Sequence, residues 1–377
     1  MKKYLFLLLI ITAVSCKSYR EFLERPYNVV NAKDTIVDGR YINGLINERK
    51  IKFFFDTGAT VSAIENLDLL GGKDVLNSDV SKKLVTAKGA DGKDLSLYKI
   101  KTTSLYTNTY KSKGRYIIAF NQEQITNVCN EQTKRRYDGI LGLDAFVNSE
   151  TPVMLDYENN EVVILNELPD LKAYMDVDCI IKNNRIFLNA VINKVKFQLL
   201  LDSGNDAFMI LQQNPFLDEQ EDLAFETGIV TANNIKSFPL NMVYANRPIN
   251  IGGIRSDENL ISIVESFKTN GVGIQFINNY NWIIDFKHKK LYAKKIRDFD
   301  GSQYISKMNS IKYKVMAANG GVIIFHKNDP TNKHNVGDEI VSVDGIIISE
   351  ENMCEFQDLL NSNNDWGKFK IETITKE

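Results

Sequence analysis

The sequence predicts a mainly β protein: two pseudo-symmetric β-barrel lobes followed by a small α+β domain. Three observations carry this expectation. One segment of the chain occurs twice in closely similar form, a second apolar element follows each copy, and the pattern changes after residue 300. The residues agree, with 20 Phe and 16 Tyr among many short Ile/Val-rich runs, a usage that fits pleated, half-buried surfaces.

The duplicated segment runs from Leu45 to Gly58 (LINERKIKFFFDTG) and again from Val191 to Gly204 (VINKVKFQLLLDSG), and the two align without a gap. Each reads as an apolar strand, a polar turn at Asn47 or Asn193, and a second strand that runs into Asp-Thr-Gly or Asp-Ser-Gly, the pattern of a β-hairpin. The triplets Phe53 to Phe55 and Leu199 to Leu201 are expected to be strands buried on both faces. The second shared element is Asp138-Gly139-Ile140-Leu141-Gly142-Leu143 in the first half and Gly271-Val272-Gly273-Ile274 in the second. A short helical stretch, a strand ending in Asp156-Tyr157 or Asp285-Phe286, a polar turn and a closing strand follow each. The chain is therefore read as a duplication, with one lobe over 30–168 and the other over 172–300.

Composition limits the function classes. A chain of 377 residues suggests two or three domains, and 44% apolar with 25% charged residues is ordinary for packed cores. A net charge of -2 gives no basis for a nucleic-acid partner, since phosphate binding needs concentrated Lys and Arg. With Cys16 set aside, Cys129, Cys179 and Cys354 are widely spaced and odd in number, so no disulfide framework is expected. Neither these nor the three histidines have metal-ligand spacing, and no metal or cofactor is called for. Lys134-Arg135-Arg136 and Lys287-His288-Lys289-Lys290 read as solvated turns.

The first sixteen residues differ from the rest. Lys2 and Lys3 precede an uncharged run from Tyr4 to Val14, about half the ~20 residues that a membrane-spanning helix needs, so a secretory signal is expected. The run ends Ala13-Val14-Ser15-Cys16, which resembles the bacterial lipobox, although Ala13 stands where Leu is more usual. That resemblance implies lipidation at Cys16, removal of the preceding residues, and a membrane-anchored protein of the cell envelope, on its periplasmic or outer face.

The candidate chemistry lies at Asp56 and Asp202. An Asp at the end of a buried strand is delivered to the floor of a cleft, and the Gly that follows lets the backbone turn sharply. A Ser or Thr hydroxyl between them can both donate and accept hydrogen bonds across a lobe interface. Two such loops meeting about a pseudo-twofold axis would bring together two carboxylates that cannot both ionise. One member of such a pair can activate a water while the other protonates a carbonyl oxygen.

These residues carry a resemblance. Asp56-Thr57-Gly58-Ala59-Thr60 and Asp202-Ser203-Gly204 are similar to the catalytic loops of retropepsin-like and pepsin-like aspartic proteases, and Ile140-Leu141-Gly142 and Gly271-Val272-Gly273 resemble the element that braces each loop. The resemblance covers the two duplicated halves. It implies a bilobal aspartic endopeptidase with Asp56 and Asp202 as the catalytic pair. Thr57, Gly58, Ser203 and Gly204 would then be the loop-bracing and cleft residues, and the substrate an extended peptide or unfolded protein segment. A mobile hairpin over the cleft is expected around Gly89-Ala90-Asp91-Gly92. Asn205, Asp206 and Gly271 depart from the family pattern and place the second lobe's activity in question.

After residue 300, Val336-Gly337-Asp338-Glu339-Ile340-Val341-Ser342-Val343-Asp344-Gly345, followed by a helical Glu351 to Leu360, looks like a trimmed PDZ domain over 305–377. The resemblance implies capture of a peptide C-terminus by strand addition, with the carboxylate-binding loop at Ala317 to Gly320, beside a plainer role in bracing the second lobe. Rival readings are a non-catalytic peptide-binding lipoprotein, a structural envelope protein, and an enzyme whose active unit is a dimer of like lobes.

Overall fold

The turn at the tip of each duplicated hairpin sets its register. Asn47-Glu48 and Asn193-Lys194 all have positive φ, between 45° and 67°, the two-residue turn whose twist matches antiparallel strands. Ile46 therefore pairs with Arg49, and Ile192 with Val195.

The computed structural model describes residues 26–77, 81–88, 94–101, 104–113, 116–120, 129, 137–147, 150–215, 222–231, 234–264, 267, 269–301, 306, 310–318, 320–328, 333–363 and 365–375. Cys16 and the signal segment, the 89–92 hairpin tip and the Lys134-Arg135-Arg136 run lie outside them.

Within this set the chain is mainly β, with at least two distinct sheet-rich domains and two short α-helices. The first half contributes β1 (Tyr27–Asn28), β2 (Lys33–Thr35), β3 (Tyr41–Ile46), β4 (Arg49–Asp56), β5 (Ala63–Ile64), β6 (Ser81–Lys88) and β7 (Asp94–Lys101). It continues with β8 (Ser104–Tyr106), β9 (Tyr110–Lys113), β10 (Tyr116–Phe120), β11 (Gly139–Gly142), β12 (Val153–Asp156) and β13 (Glu161–Ile164). The second half contributes β14 (Met175–Asp176), β15 (Cys179–Lys182), β16 (Arg185–Ile192), β17 (Val195–Leu201), β18 (Met209–Leu211), β19 (Asp222–Thr231) and β20 (Asn234–Ile251). Then come β21 (Ile254–Ile263), β22 (Gly271–Val272), helix α1 (Ile274–Ile277), β23 (Tyr280–Asp285) and β24 (Lys290–Lys295). The tail holds β25 (Tyr313–Ala318), β26 (Gly321–Lys327), β27 (Glu339–Val343), β28 (Ile346–Ile347), helix α2 (Met353–Asn361) and β29 (Ile371–Ile374).

The two halves repeat one wiring. β4 lies parallel to β11, and β17 parallel to β22. The strand after each Asp-Thr/Ser-Gly pairs antiparallel with that same partner, β5 with β11 and β18 with β22. It also pairs parallel with a later strand, β10 or β21. A hairpin projects from each half, β6/β7 in the first and the longer β19/β20 in the second. The second of these was not foreseen.

Duplication reaches its clearest form where the halves meet. Strands β14-β24-β23-β12-β13-β2 form one six-stranded sheet, and β12 pairs with β23 antiparallel, Val153 with Ile284, Met154 with Ile283 and Leu155 with Trp282. In the duplicated sequences Val153 corresponds to Trp282 and Leu155 to Ile284, so each pair is the other's image about Met154/Ile283. This is the self-complementary contact of a twofold dimer made within one chain.

Packing corrects the expected triplets in one place. Leu199, Leu200 and Leu201 are all buried, whereas Phe54 is half-buried between Phe53 and Phe55. Its outer face is met by Tyr137, stacked at 5.1 Å, and by Tyr41 at 5.9 Å, so aromatic rings replace a second layer.

The tail follows the expected order of strand, turn, strand, helix and strand, with its own core of Val315, Ile324, Ile340, Phe356, Leu360 and Trp366. It is not a separate sheet. β26 pairs with β19 at Lys327/Glu226 and His326/Thr227, which joins the tail to the second half in a single 13-stranded sheet. No disulfide framework was indicated, yet one bond is present among the described residues. Cys129, between β10 and β11, is bonded to Cys354 on α2 across 225 residues. Wide sequence spacing hid the pair, because only folding brings α2 against the first half.

Replacing Trp282 by Ala is expected to cost about 3–5 kcal/mol in urea unfolding, since the ring is fully buried and its indole N–H donates to the Ile277 carbonyl at 2.8 Å. A Cys129→Ser/Cys354→Ser double variant is expected to lose roughly 2–5 kcal/mol in the same assay under oxidising conditions.

Candidate active site

Each candidate Asp stands at the end of a buried strand, and the loop after it turns back through Gly. The two loops are tied by four crossed hydrogen bonds. The Thr57 amide donates to Ser203 Oγ at 3.0 Å, and the Ser203 amide to Thr57 Oγ1 at 2.9 Å. Thr57 Oγ1 donates to the Leu201 carbonyl at 2.7 Å, and Ser203 Oγ to the Phe55 carbonyl at 2.9 Å. Both hydroxyls are buried and use donor and acceptor capacity at once, which Ala or Val in their place could not.

The glycines let the opposite carboxylate in. A Cβ on Gly58 would lie 2.5 Å from Cγ of Asp202, and one on Gly204 would lie 2.7 Å from Cγ of Asp56. The side chains of Asp56 and Asp202 are hydrogen-bonded to each other, and each is half-buried. One chain brings both together, without a second copy.

Electrostatics separate the two acids. Burial raises Asp56, and the hydrogen bond to Asp202 and amide donors at Gly58, Ala59 and Gly204 oppose that rise. Asp202 is held well above the carboxylate range by burial, by the Asp56 charge and by the hydrogen bond to Asp56, with a smaller opposing pull from the Gly204 amide and Arg185. Asp56 thus has the larger set of amide donors, at 2.8 Å from Gly58 and 3.1 Å from Ala59. A carboxylate that accepts several amides favours its charged form. Both carboxyls are thus raised, Asp202 the more strongly.

The departures in the second loop acquire roles. Asn205 Oδ1 accepts from the Ala207 amide at 2.9 Å, and its carbonyl accepts from Ile274 at 2.8 Å, so it shapes the loop. Asp206 does not burden the pair with a free charge, because Arg40 of the first half reaches across and forms an ion pair with it. On the opposite side Asn184 Nδ2 donates to the Thr60 carbonyl at 3.1 Å. Gly271 lies flat against β17, where a Cβ would come 3.1 Å from the Leu200 carbonyl. The brace is tight at Gly273, whose added Cβ would meet the Ala207 and Asn205 carbonyls at 2.3 and 2.5 Å.

Arg40, Asn184 and Arg185 escaped the sequence reading. Arg40 and Asn184 lie in the turns just before the duplicated hairpins and Arg185 opens β16; the gapless alignment sets Arg40 opposite Ile186 and Arg185 opposite Gly39, so the repeat did not flag them. A cavity of about 400 Å³ is lined mostly by the first half, Ser62, Tyr110, Tyr116 and Asp144 among others, and by Asn184 of the second; neither Asp56 nor Asp202 lines it. Burial raises the Asp144 carboxyl, which accepts from Ser62 Oγ at 2.7 Å, and Ser62 in turn accepts from the Gly142 amide, so this pair buttresses the first brace.

No protein-family model matches this chain, and no curated protein matches it.

The pair makes stability fall as pH rises. Unfolded, Asp202 ionises near its ordinary 3.8; folded, it keeps its proton to higher pH, so above about 4 the unfolded state binds fewer protons and gains. Asp202→Asn is therefore expected to raise the melting temperature at pH 7 and to leave it nearly unchanged at pH 3.5. Thermal scans across that range read the difference.

Proposed function

We propose that the chain is an aspartic endopeptidase, two pseudo-symmetric retropepsin-like lobes in one polypeptide, that hydrolyses peptide bonds with a water activated by Asp56 and Asp202. The observation that carries this reading is the hydrogen-bonded pair of raised carboxyls held between crossed Thr57 and Ser203 hydroxyls. A structural protein has no need of two mutually repelling acids in one half-buried place.

In the reaction Asp56, the charged member, accepts a proton from a water lying between the two carboxyls. Asp202 donates its proton to the carbonyl oxygen of the scissile bond as the water oxygen attacks the carbonyl carbon. The tetrahedral intermediate then collapses with proton transfer to the leaving amine nitrogen, and the pair again holds one proton. The β6/β7 and β19/β20 hairpins are the elements that would fold over an extended substrate.

The tail is read as a PDZ-like module that braces. Both edges of β26 are engaged, by β25 on one side and by β27 and β19 on the other, so an added peptide strand finds that place taken by the chain's own hairpin. The disulfide suits an oxidising compartment, in keeping with export and a lipid anchor at Cys16. Among the described residues no helix is long and apolar enough to cross a membrane, so a tether at the envelope would rest on that lipid.

Incubating the purified protein with a mixed peptide library should yield cleavage products with a bell-shaped pH profile. Asp56→Asn and Asp202→Asn should each lower kcat by about 10²–10⁴-fold or more. A folded protein that cleaves nothing between pH 3 and 8 sinks the reading.

A further inference from the structure

The pseudo-twofold axis relates two crossings between the halves, and they are not equivalent. On one side a cation meets an anion, Arg40 on Asp206. On the other side the residue four places after the catalytic Asp is Thr60, and the crossing is made by the neutral amide of Asn184. An arginine stands there as well. Arg185 follows Asn184 directly, yet no carboxylate pairs with it among the described residues.

Its surroundings are unusual for an unpaired guanidinium. Nε is buried with no hydrogen-bond partner, and a buried donor left unsatisfied is costly. The guanidinium carbon lies 5.3 Å from the centroid of the Phe187 ring, and the Lys182 ammonium lies 4.7 Å from the same centroid. Two cations thus share one aromatic ring at the edge of the site. Strand register places it at the site: β16 and β17 are antiparallel with Phe187 opposite Leu200, so Arg185 falls across from Asp202, on which its charge acts. Arg40, in the other half, has its charge consumed within the protein; Arg185 has not.

We propose that Arg185, aided by Lys182, is a specificity-determining residue that takes a carboxylate of the substrate, an Asp or Glu side chain within a few residues of the scissile bond. A planar guanidinium binds a carboxylate through two parallel N–H···O bonds, and stacking on Phe187 fixes the plane of that fork. This inference rests on the cleft reading given above and adds to it the class of substrate.

The test separates binding from turnover. Peptide pairs that differ only by Glu or Gln at one position, scanned along the sequence, are titrated against the Asp56→Asn protein, and the same pairs are offered to the unaltered protein for cleavage. Glu is expected to bind at least about tenfold tighter than Gln at one position, with the preference shrinking as salt rises. Arg185→Gln should abolish the preference, Arg185→Lys should keep part of it, and Arg185→Glu should turn it toward Lys peptides; thermal scans confirm that each variant is folded. Equal affinity for Glu and Gln peptides at every position, no peptide binding at all, or a Glu preference that survives in folded Arg185→Gln overturns the proposal. An Arg185-dependent preference without cleavage by the unaltered protein upholds the proposal and fells the endopeptidase reading, while cleavage with no acid preference does the reverse.

Discussion

Two carboxylates repel when charged, and bringing them into hydrogen-bonding reach requires something stiff enough to hold them there. In this chain the stiffness comes from the crossed bonds of Thr57 and Ser203, which fasten each loop to the backbone of the other half at 2.7–3.0 Å. Those bonds form only if β4 and β17 arrive in matching positions, and the six-stranded sheet centred on Met154 and Ile283 sets that match. The floor sheet, the two braces and the two glycines are best understood as parts of one clamp around a shared proton.

The clamp is symmetric in backbone and asymmetric in charge. Ala59 and Asn205 each donate an amide to the backbone carbonyl of their Asp, but only Ala59 also donates to the carboxylate itself. Asp56 therefore accepts more amide bonds than Asp202, whose carboxyl is the more strongly raised. A dimer of identical halves cannot make such a distinction, because every change enters both sides. Fusion into one chain lets Arg40 and Asp206 pair on one flank while Thr60 and Asn184 meet on the other.

What the sequence disclosed follows the range of each signal. The hairpins, their Asn turns, the Asp-Thr/Ser-Gly loops and the braces were legible because turn chemistry and strand periodicity act over a few residues, and duplication printed them twice. The closeness of Asp56 and Asp202 was legible only by inference from that repetition. The Arg40–Asp206 pair joins residues 166 positions apart by number and leaves no local trace. The Cys129–Cys354 bond was invisible for the same reason, since an odd count and wide spacing argue against pairing until α2 is seen against the first half. Phe54 misled in the other direction: a run of three phenylalanines reads as fully covered, and the cover turned out to be two tyrosine rings.

The tail is fastened twice, by a disulfide to the first half and by strand pairing to the second. Removing it would leave a lone thiol at Cys129 and bare the β19 backbone around Glu226 and Thr227, the kind of open edge that recruits other chains. Products that end before β26 would thus carry both a reactive sulfur and a sticky strand.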